Sequence, residues 1–341
     1  MAATLHDVAR EAGVSIKTVS NVVNSYPYVR ETTATRVRAA IDKLGYTPNF
    51  AARNLRSGRK GVIGLIIPDL RNTYFAELAA EVMLAAERHG LAVLIDMVQQ
   101  NRESETAALK GSRIQMTDGV LYSALSLDRE DLTALDISTP MVLLGDRIFD
   151  GPTDHVTIQN TEAARAATTH LLETGRRRIL AIGAHPGEVL GSAGLRMAGY
   201  QQALAEAGIA YDPALVIPAE RWLRSDGAAA MAQALESKVK FDAVFAFNDL
   251  MAFGAIRTLQ DAGYSIPTDV AVVGFDDVDE ARYSSPPLTS IDPGRAEIAE
   301  RAVVALIERM GATTTGEPRE YPVAFRLVTR ESTAADSPSL R

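Results

Sequence analysis

Three sets of residues have types and spacings that could do chemistry. Ile16, Lys17, Ser20, Asn21 and Asn24 recur at helical spacing on one side of a segment that opens at Ser15, while Val19, Val22 and Val23 recur on the other side. A polar face carrying a single lysine offers the amide and hydroxyl hydrogen bonds that read base edges in a DNA major groove. The plainer alternative is a helical hairpin inside a domain core, which would have no use for such a face. A second set combines rings with carboxylates, amides and arginines: Asp69, Asn72, Tyr74 and Phe75, then Ser123, Asp146 and Arg147, then Ser192, Arg196, Trp222, Asn248, Asp249 and Asp276. Rings stack on the C–H faces of a sugar while amides and carboxylates fork onto its hydroxyls, so this mixture suits a polyhydroxylated ligand. Trp222 is the chain's single Trp, and a core or interface role for it stays open.

The third set would be catalytic, and it is thin. His6, His89, His155, His170 and His185 show no metal-ligand spacing and read as surface or internally satisfied residues. Pro68-Asp69 follows the first strand where a dinucleotide site would carry G-x-G-x-x-G, and there is no P-loop. The Asp276-Asp277 pair lacks a neighbouring nucleophile. With no Cys there is neither a disulfide framework nor a thiolate metal site. No cofactor, no metal and no enzymatic activity are expected. A free sugar-binding protein and a sugar-acting enzyme remain the competing classes.

The elements that must carry these residues follow from local signals. Thr4 with Asp7 three residues on is a capping box for a first helix, whose apolar face is Leu5, Val8 and Ala9. Gly13 supplies a turn, Ser15 caps a second helix, and Val37, Ile41 and Leu44 mark a third that stops at Gly45. Two short helices joined by a Gly turn predict a helix-turn-helix, the second helix entering the groove. Charge supports this. Residues 1–60 carry a net +6 and residues 61–341 a net −14, so a polyanion partner is expected for the head alone.

From Gly61 onward apolar strand-like runs alternate with helical ones, beginning with Val62–Ile67 and Phe75–His89 and continuing through a helix over Glu103–Met116 to one over Pro293–Arg309. That alternation predicts parallel sheets covered on both faces. Ten or so strands are many for one sheet, so two doubly wound α/β lobes with a cleft between them are expected. At 341 residues, 47% of them hydrophobic, the chain can build such cores. No apolar run reaches membrane-spanning length and Met1 leads straight into a helix, so a cytoplasmic protein with no membrane partner is expected.

These parts, and several local motifs, resemble the LacI/GalR family of bacterial transcription repressors. TLHDVAREAGVS-x-x-TVS-x-VVN is similar to the family's DNA-reading helices, LGYTPNFAARNLRSGR to its hinge helix, and VIGLIIPDL-x-N-x-YF to its first core strand; GLRMAGYQQAL, FAFNDLMAFGAI and DVAVVGFDD are further landmarks. The resemblance spans essentially the whole chain. It implies a helix-turn-helix head over 1–48, a hinge helix and linker over 49–60, and a periplasmic-binding-protein-like core over 61–330. Lobe one is expected at about 61–160 and 292–321, lobe two at about 161–291 and 322–330, with a tail over 331–341. It also implies a homodimer on double-stranded operator DNA, controlled by a small-molecule effector between the lobes.

Carried over by position, Ile16, Lys17 and Asn21 read bases, and Thr4, Ser15, Thr18, Ser20, Asn24 and Thr33 contact phosphates. Asn21 stands where an Arg is usual, which favours adenine over guanine. Ala34 also replaces a frequent Arg. In the hinge, Ala52 and Leu55 enter the minor groove, Leu55 as the wedge, with Arg53 and Arg56 along the backbone. Effector contacts are expected, from their places beyond the C-terminal ends of strands, for Asp69, Tyr74, Phe75, Ser123, Asp146, Ser192, Arg196, Trp222, Asn248 and Asp276; of these, Arg196, Asn248 and Asp276 align with the family's effector-binding positions. Leu190 stands where purine-binding members carry an Arg, which argues against a purine effector. A phosphorylated carrier protein as corepressor stays open. The tail ESTAADSPSLR lacks leucine heptads, so a dimer without further assembly is expected.

Overall fold

The computed structural model describes residues 3–23, 26, 28–46, 60–99, 101–311 and 316–333. Asn24, residues 47–59 with the hinge positions Ala52, Arg53, Leu55 and Arg56, and the tail beyond 333 lie outside the described residues. The chain divides into two compact units, Met1–Gly61 and Val62–Arg341.

The first unit is three helices, α1 (Leu5–Ala12), α2 (Ile16–Val23) and α3 (Glu31–Leu44). The capping box forms: the Asp7 N–H donates to Thr4 Oγ1 at 3.3 Å, and the Thr4 N–H donates to the Asp7 carboxylate at 3.0 Å. Gly13 ends α1 at φ 61°, a left-handed conformation that a Cβ would resist. Ser15 Oγ accepts the Thr18 N–H at 3.1 Å and so caps α2. Val8, Val19 and Val37, one from each helix, are fully buried and knit the three together.

The second unit holds two six-stranded sheets. Strands β1 (Val62–Ile67), β2 (Ala92–Met97), β3 (Gly119–Ser123), β4 (Met141–Leu144), β5 (Asp154–Ile158) and β11 (Glu320–Val323) form the first, in order 11-5-4-3-1-2. Strands β6 (Ile179–Ala184), β7 (Val216–Pro218), β8 (Ala243–Ala246), β9 (Ala271–Phe275), β10 (Thr289–Asp292) and β12 (Arg326–Val328) form the second, in order 12-10-9-8-6-7. All neighbours are parallel except β10 and β12.

The helices that cover these sheets are α4 (Thr73–Arg88), α5 (Arg102–Lys110), α6 (Asn160–Glu173), α7 (Ser192–Glu206), α8 (Arg224–Glu236), α9 (Asp249–Asp261), the short α10 (Glu280–Tyr283) and α11 (Arg295–Gly311). The central strands β1, β3, β4, β6, β8 and β9 are rich in Val, Ile, Leu and Ala and are buried on both faces, as parallel sheets between helical layers must be. The chain passes between lobes three times, after β5, after β10 and after β11.

Three local expectations are corrected. The helix expected over Glu103–Met116 stops at Lys110, because Gly111 and Ser112 interrupt it; Ile114–Met116 is a separate 3₁₀ turn. The alternation of apolar runs does not predict strands β10, β11 and β12. β10 opens on Thr289 and Ser290, polar residues whose burial is made tolerable by hydroxyl bonds to Arg330 O and Asp249. β11 contains Pro322, which only an edge strand accommodates. β11 also runs to Val323, so lobe one extends two residues past 321, and β10 holds lobe two to Asp292.

Among the described residues no helix is long and apolar enough to cross a membrane, and no cluster of His, Asp and Glu could hold a metal ion.

Candidate functional site

In the head, packing sorts α2 into two faces. Val19 and Val22 are buried, Lys17 is exposed, and Thr18, Ser20 and Asn21 are half-exposed. Ile16 is not wholly outward: it packs in part against the head's core. Thr4 and Ser15 are exposed at the starts of α1 and α2, and Thr33 is half-buried in the first turn of α3.

In the second unit each sheet reverses its winding once, between β1 and β3 in one lobe and between β6 and β8 in the other. Ligands bind beyond the C-terminal ends of strands at such points. A cleft of about 250 Å3 opens there, lined from both lobes. Lobe one contributes Tyr74 and Phe75 from α4, Ser123 at the end of β3, and Asp146 and Arg147 after β4. Lobe two contributes Ser192 and Arg196 from α7, Trp222 before α8, and Asp276 after β9.

Arg196 is the best-held charge. Its Nε donates to Asn160 Oδ1 at 2.7 Å, its Nη1 donates to Phe247 O, and its guanidinium lies 3.5 Å from the centre of the Phe275 ring. Nη2 then stands 3.7 Å from the Asp276 carboxylate. Burial pushes the Asp276 carboxyl up to about 7 against the pull of Arg196 and Arg295. Desolvation, then the charges of Asp276 and Asp146, hold the Tyr74 phenol above its usual range.

Asp146 and Ser192 meet across the cleft, with Ser192 Oγ donating to Asp146 Oδ2 at 2.8 Å. The other Asp146 oxygen accepts Thr157 Oγ1–H at 3.1 Å. Trp222 donates its indole N–H to Gly183 O at 3.0 Å, and the Arg196 guanidinium lies over its ring, 5.2 Å from the centre. Gly183 sits at φ 114°, where a Cβ would come within 2.6 Å of Met251.

Two expected ligand contacts lie elsewhere. Asp69 is outside the cleft lining and is occupied by Arg71 in a bidentate pair. Asn248 is fully buried behind the lining, where its side chain caps α9 and donates to Trp222 O at 2.9 Å. His185, expected to be a surface or structural residue, lines the cleft instead. Its Nδ1 is bonded to Glu188 at 2.9 Å, and that bond raises the imidazole above its ordinary value. Glu188 also pairs with Arg147 at 3.3 Å, tying the lobes at the mouth. The position of His185 after an apolar strand was the available signal.

Two family comparisons match. Residues 4–49 match bacterial regulatory proteins of the lacI family, and residues 168–333 match the periplasmic binding protein-like domain. A solved structure described as a transcriptional regulator of LacI family from Sanguibacter keddieii DSM 10542 is 50% identical, over 81% of this chain and 99% of that one, with a TM-score of 0.75. The transcriptional regulator CelR–cellobiose complex is 32% identical over 97% of this chain and 99% of that one, with a TM-score of 0.72. The Lac repressor dimer bound to operator and the anti-inducer ONPF is 28% identical over 98% and 99%, with a TM-score of 0.76.

Proposed function

From the premise that the chain belongs to the lacI family of bacterial regulatory proteins, and is a transcriptional regulator, we propose that it is a homodimeric repressor whose operator affinity is set by a carbohydrate bound between its two lobes. The observation that carries the effector reading is the cleft itself. The Trp222 ring stands beside Arg196 and Asp276, the hydrogen-bonded pair of Asp146 from lobe one and Ser192 from lobe two lines the same cleft, and a sugar presents just this pairing of apolar C–H faces with rows of hydroxyls. The relative solved with cellobiose supports the carbohydrate class.

DNA affinity comes from the basic head, and specificity from Lys17 and Asn21 on α2. Leu55 and Ala52 act in the minor groove, with Arg53 and Arg56 on the phosphates. One small helix-turn-helix reads a half-site, so two copies are required. The relative solved as a dimer on operator supports the same assembly. In lobe one Met83 and Leu84 of α4 and Met97 at the end of the edge strand β2 are each about half exposed or more, an apolar surface that a second copy would cover. A phosphorylated carrier protein as corepressor gains no support and is set aside.

The deciding experiment is selection of bound DNA from a random pool, repeated with a panel of sugars and sugar phosphates. Release or tightening of the selected operator by one sugar, recovered chemically unchanged, is expected. Conversion of the sugar would mean an enzyme. Binding of sugar with no effect on DNA would mean a free sugar-binding protein.

A further inference from the structure

We propose that Asn248 and Asp249, adjacent residues where β8 passes into α9, are positioning residues that hold the two turns presenting Trp222 and Asp276 to the cleft. The importance of those turns rests on the effector reading above; the clamp itself rests on geometry alone.

Both turns are strained. Trp222 sits at φ 55°, and Asp276 and Asp277 follow one another at φ 109° and 45°, conformations that side-chain-bearing residues avoid unless their surroundings impose them. One dipeptide supplies side-chain bonds to both. Asn248, fully buried, spends its carbonyl oxygen on the Met251 N–H at 2.9 Å, and its amide donates to the Trp222 carbonyl at 2.9 Å. Asp249, also fully buried, turns the other way. One of its oxygens accepts the Val278 N–H at 2.9 Å, and the other accepts Ser290 Oγ–H at 2.5 Å. Ser290 Oγ in turn accepts the Asp277 N–H at 3.1 Å. The two amides that follow Asp276 are therefore both tied to one carboxyl, directly or through a hydroxyl.

The strand beside it is shaped to admit that carboxyl. A Cβ on Gly274 would lie 2.1 Å from Asp249 Oδ1, so a larger residue there would displace the carboxyl. The carbonyl side of the same turn is held separately. Arg295 donates to the carbonyls of Asp276 and Asp277, and Arg330 pairs with the Asp277 carboxylate at 2.6 Å. Asp249 is thus not a ligand contact, since it does not line the cleft. It fixes the direction in which Asp276 points, as Asn248 fixes that of the Trp222 ring.

The test needs no effector. Residue-resolved hydrogen exchange on the full chain should show the Asp277 and Val278 amides exchanging at least about tenfold faster in Asp249→Ala than in the parent, a loss of protection typical of opened hydrogen bonds. The β8 and β9 amides should keep their protection, and the emission of Trp222, the only tryptophan, should stay at the parent wavelength. Ser290→Ala should release Asp277 alone. Asn248→Ala should shift Trp222 emission and raise its quenching by acrylamide while leaving Asp277 and Val278 protected.

A general role in the core predicts something else, a uniform loss of protection across β8, β9 and β10 in every variant, and that result overturns the proposal. Unchanged Asp277 and Val278 exchange in Asp249→Ala overturns it too. If Asp249→Ala does not fold, Ser290→Ala decides by the same criterion. Failure of every sugar to act on DNA binding would remove the effector reading and leave this exchange pattern standing.

Discussion

At the scale of the residue, the cleft is governed by what burial does to charge. Asp276 is the instructive case, because its carboxyl is lifted from 3.8 to about 7 by burial even with Arg196 at 3.7 Å. The native chain therefore keeps a proton that the unfolded chain has released. The stability owed to this group is greatest below about pH 4, declines as pH rises toward about 7, and is level above that. At about 1.4 kcal/mol per pKa unit the whole decline is on the order of 4 kcal/mol at most. Asp276→Asn should abolish this slope, gaining on the parent between about pH 4 and pH 8 in urea midpoints. Parallel pH profiles would show Asp276 to be ionised throughout.

On the head, Asn21 is half-exposed on α2 and carries an amide suited to adenine. Asn21→Ala should reorder the preference among operator variants, by about 1–3 kcal/mol at the base it reads. Ser20→Ala should weaken all sequences alike if Ser20 contacts the phosphate backbone, as proposed. Competition binding against a set of single-base operator variants separates the two.

At the scale of the element, the recognition helix α2 is only eight residues long, too short to hold itself without its cap and its neighbours. Ser15 supplies the cap through its bond to the Thr18 N–H. Ser15→Ala should destabilise the head by about 1 kcal/mol and Ser15→Asp by much less, since an Asp caps as well. Thermal melts followed by helical circular dichroism on the full chain would show this as an early loss confined to the head transition. An unchanged early transition would mean that packing of Val19 and Val22 alone holds α2.

The same logic explains why lobe two needs its glycines. Gly227 and Gly254 lie where α8 and α9 cross so closely that a Cβ at either position would come within about 2.1 Å of backbone on the other helix.

At the scale of the whole molecule, the function proposed above is a coupling between the head and the effector-binding core. Thermodynamic linkage makes that coupling reciprocal: operator DNA must change effector affinity by the factor by which effector changes DNA affinity, typically about 1–3 kcal/mol. Titrating Trp222 fluorescence with the active sugar, with and without operator, measures one arm, and operator titration with and without sugar measures the other. Unequal factors would place the sugar's action on something other than this equilibrium. Assembly is tested separately. Leu84→Arg puts a charge at an exposed position on α4, so it should leave the fold intact, shift the chain toward monomer in light scattering, and lower operator affinity with it. A variant that stays dimeric would move the interface away from α4.

By itself the sequence determined the kind of architecture and most of its elements. Caps at Thr4 and Ser15, the turn at Gly13, and the alternation of apolar strands with amphipathic helices are local signals, carried within a few residues, and the chain obeys them. It also marked most of the cleft, because residues that follow a parallel strand are delivered to one edge of the sheet. Only the tertiary structure decided the rest. That Asp69 faces Arg71 rather than the cleft, that Asn248 is buried with its amide on the Trp222 carbonyl, and that His185 reaches the cleft lining all depend on contacts with partners in space. Strands β10, β11 and β12 were illegible for the same reason. β10 is mostly polar, β11 includes proline and β12 is only three residues long, and they become strands only because a hydroxyl partner or a free sheet edge awaits them from segments far away in the chain.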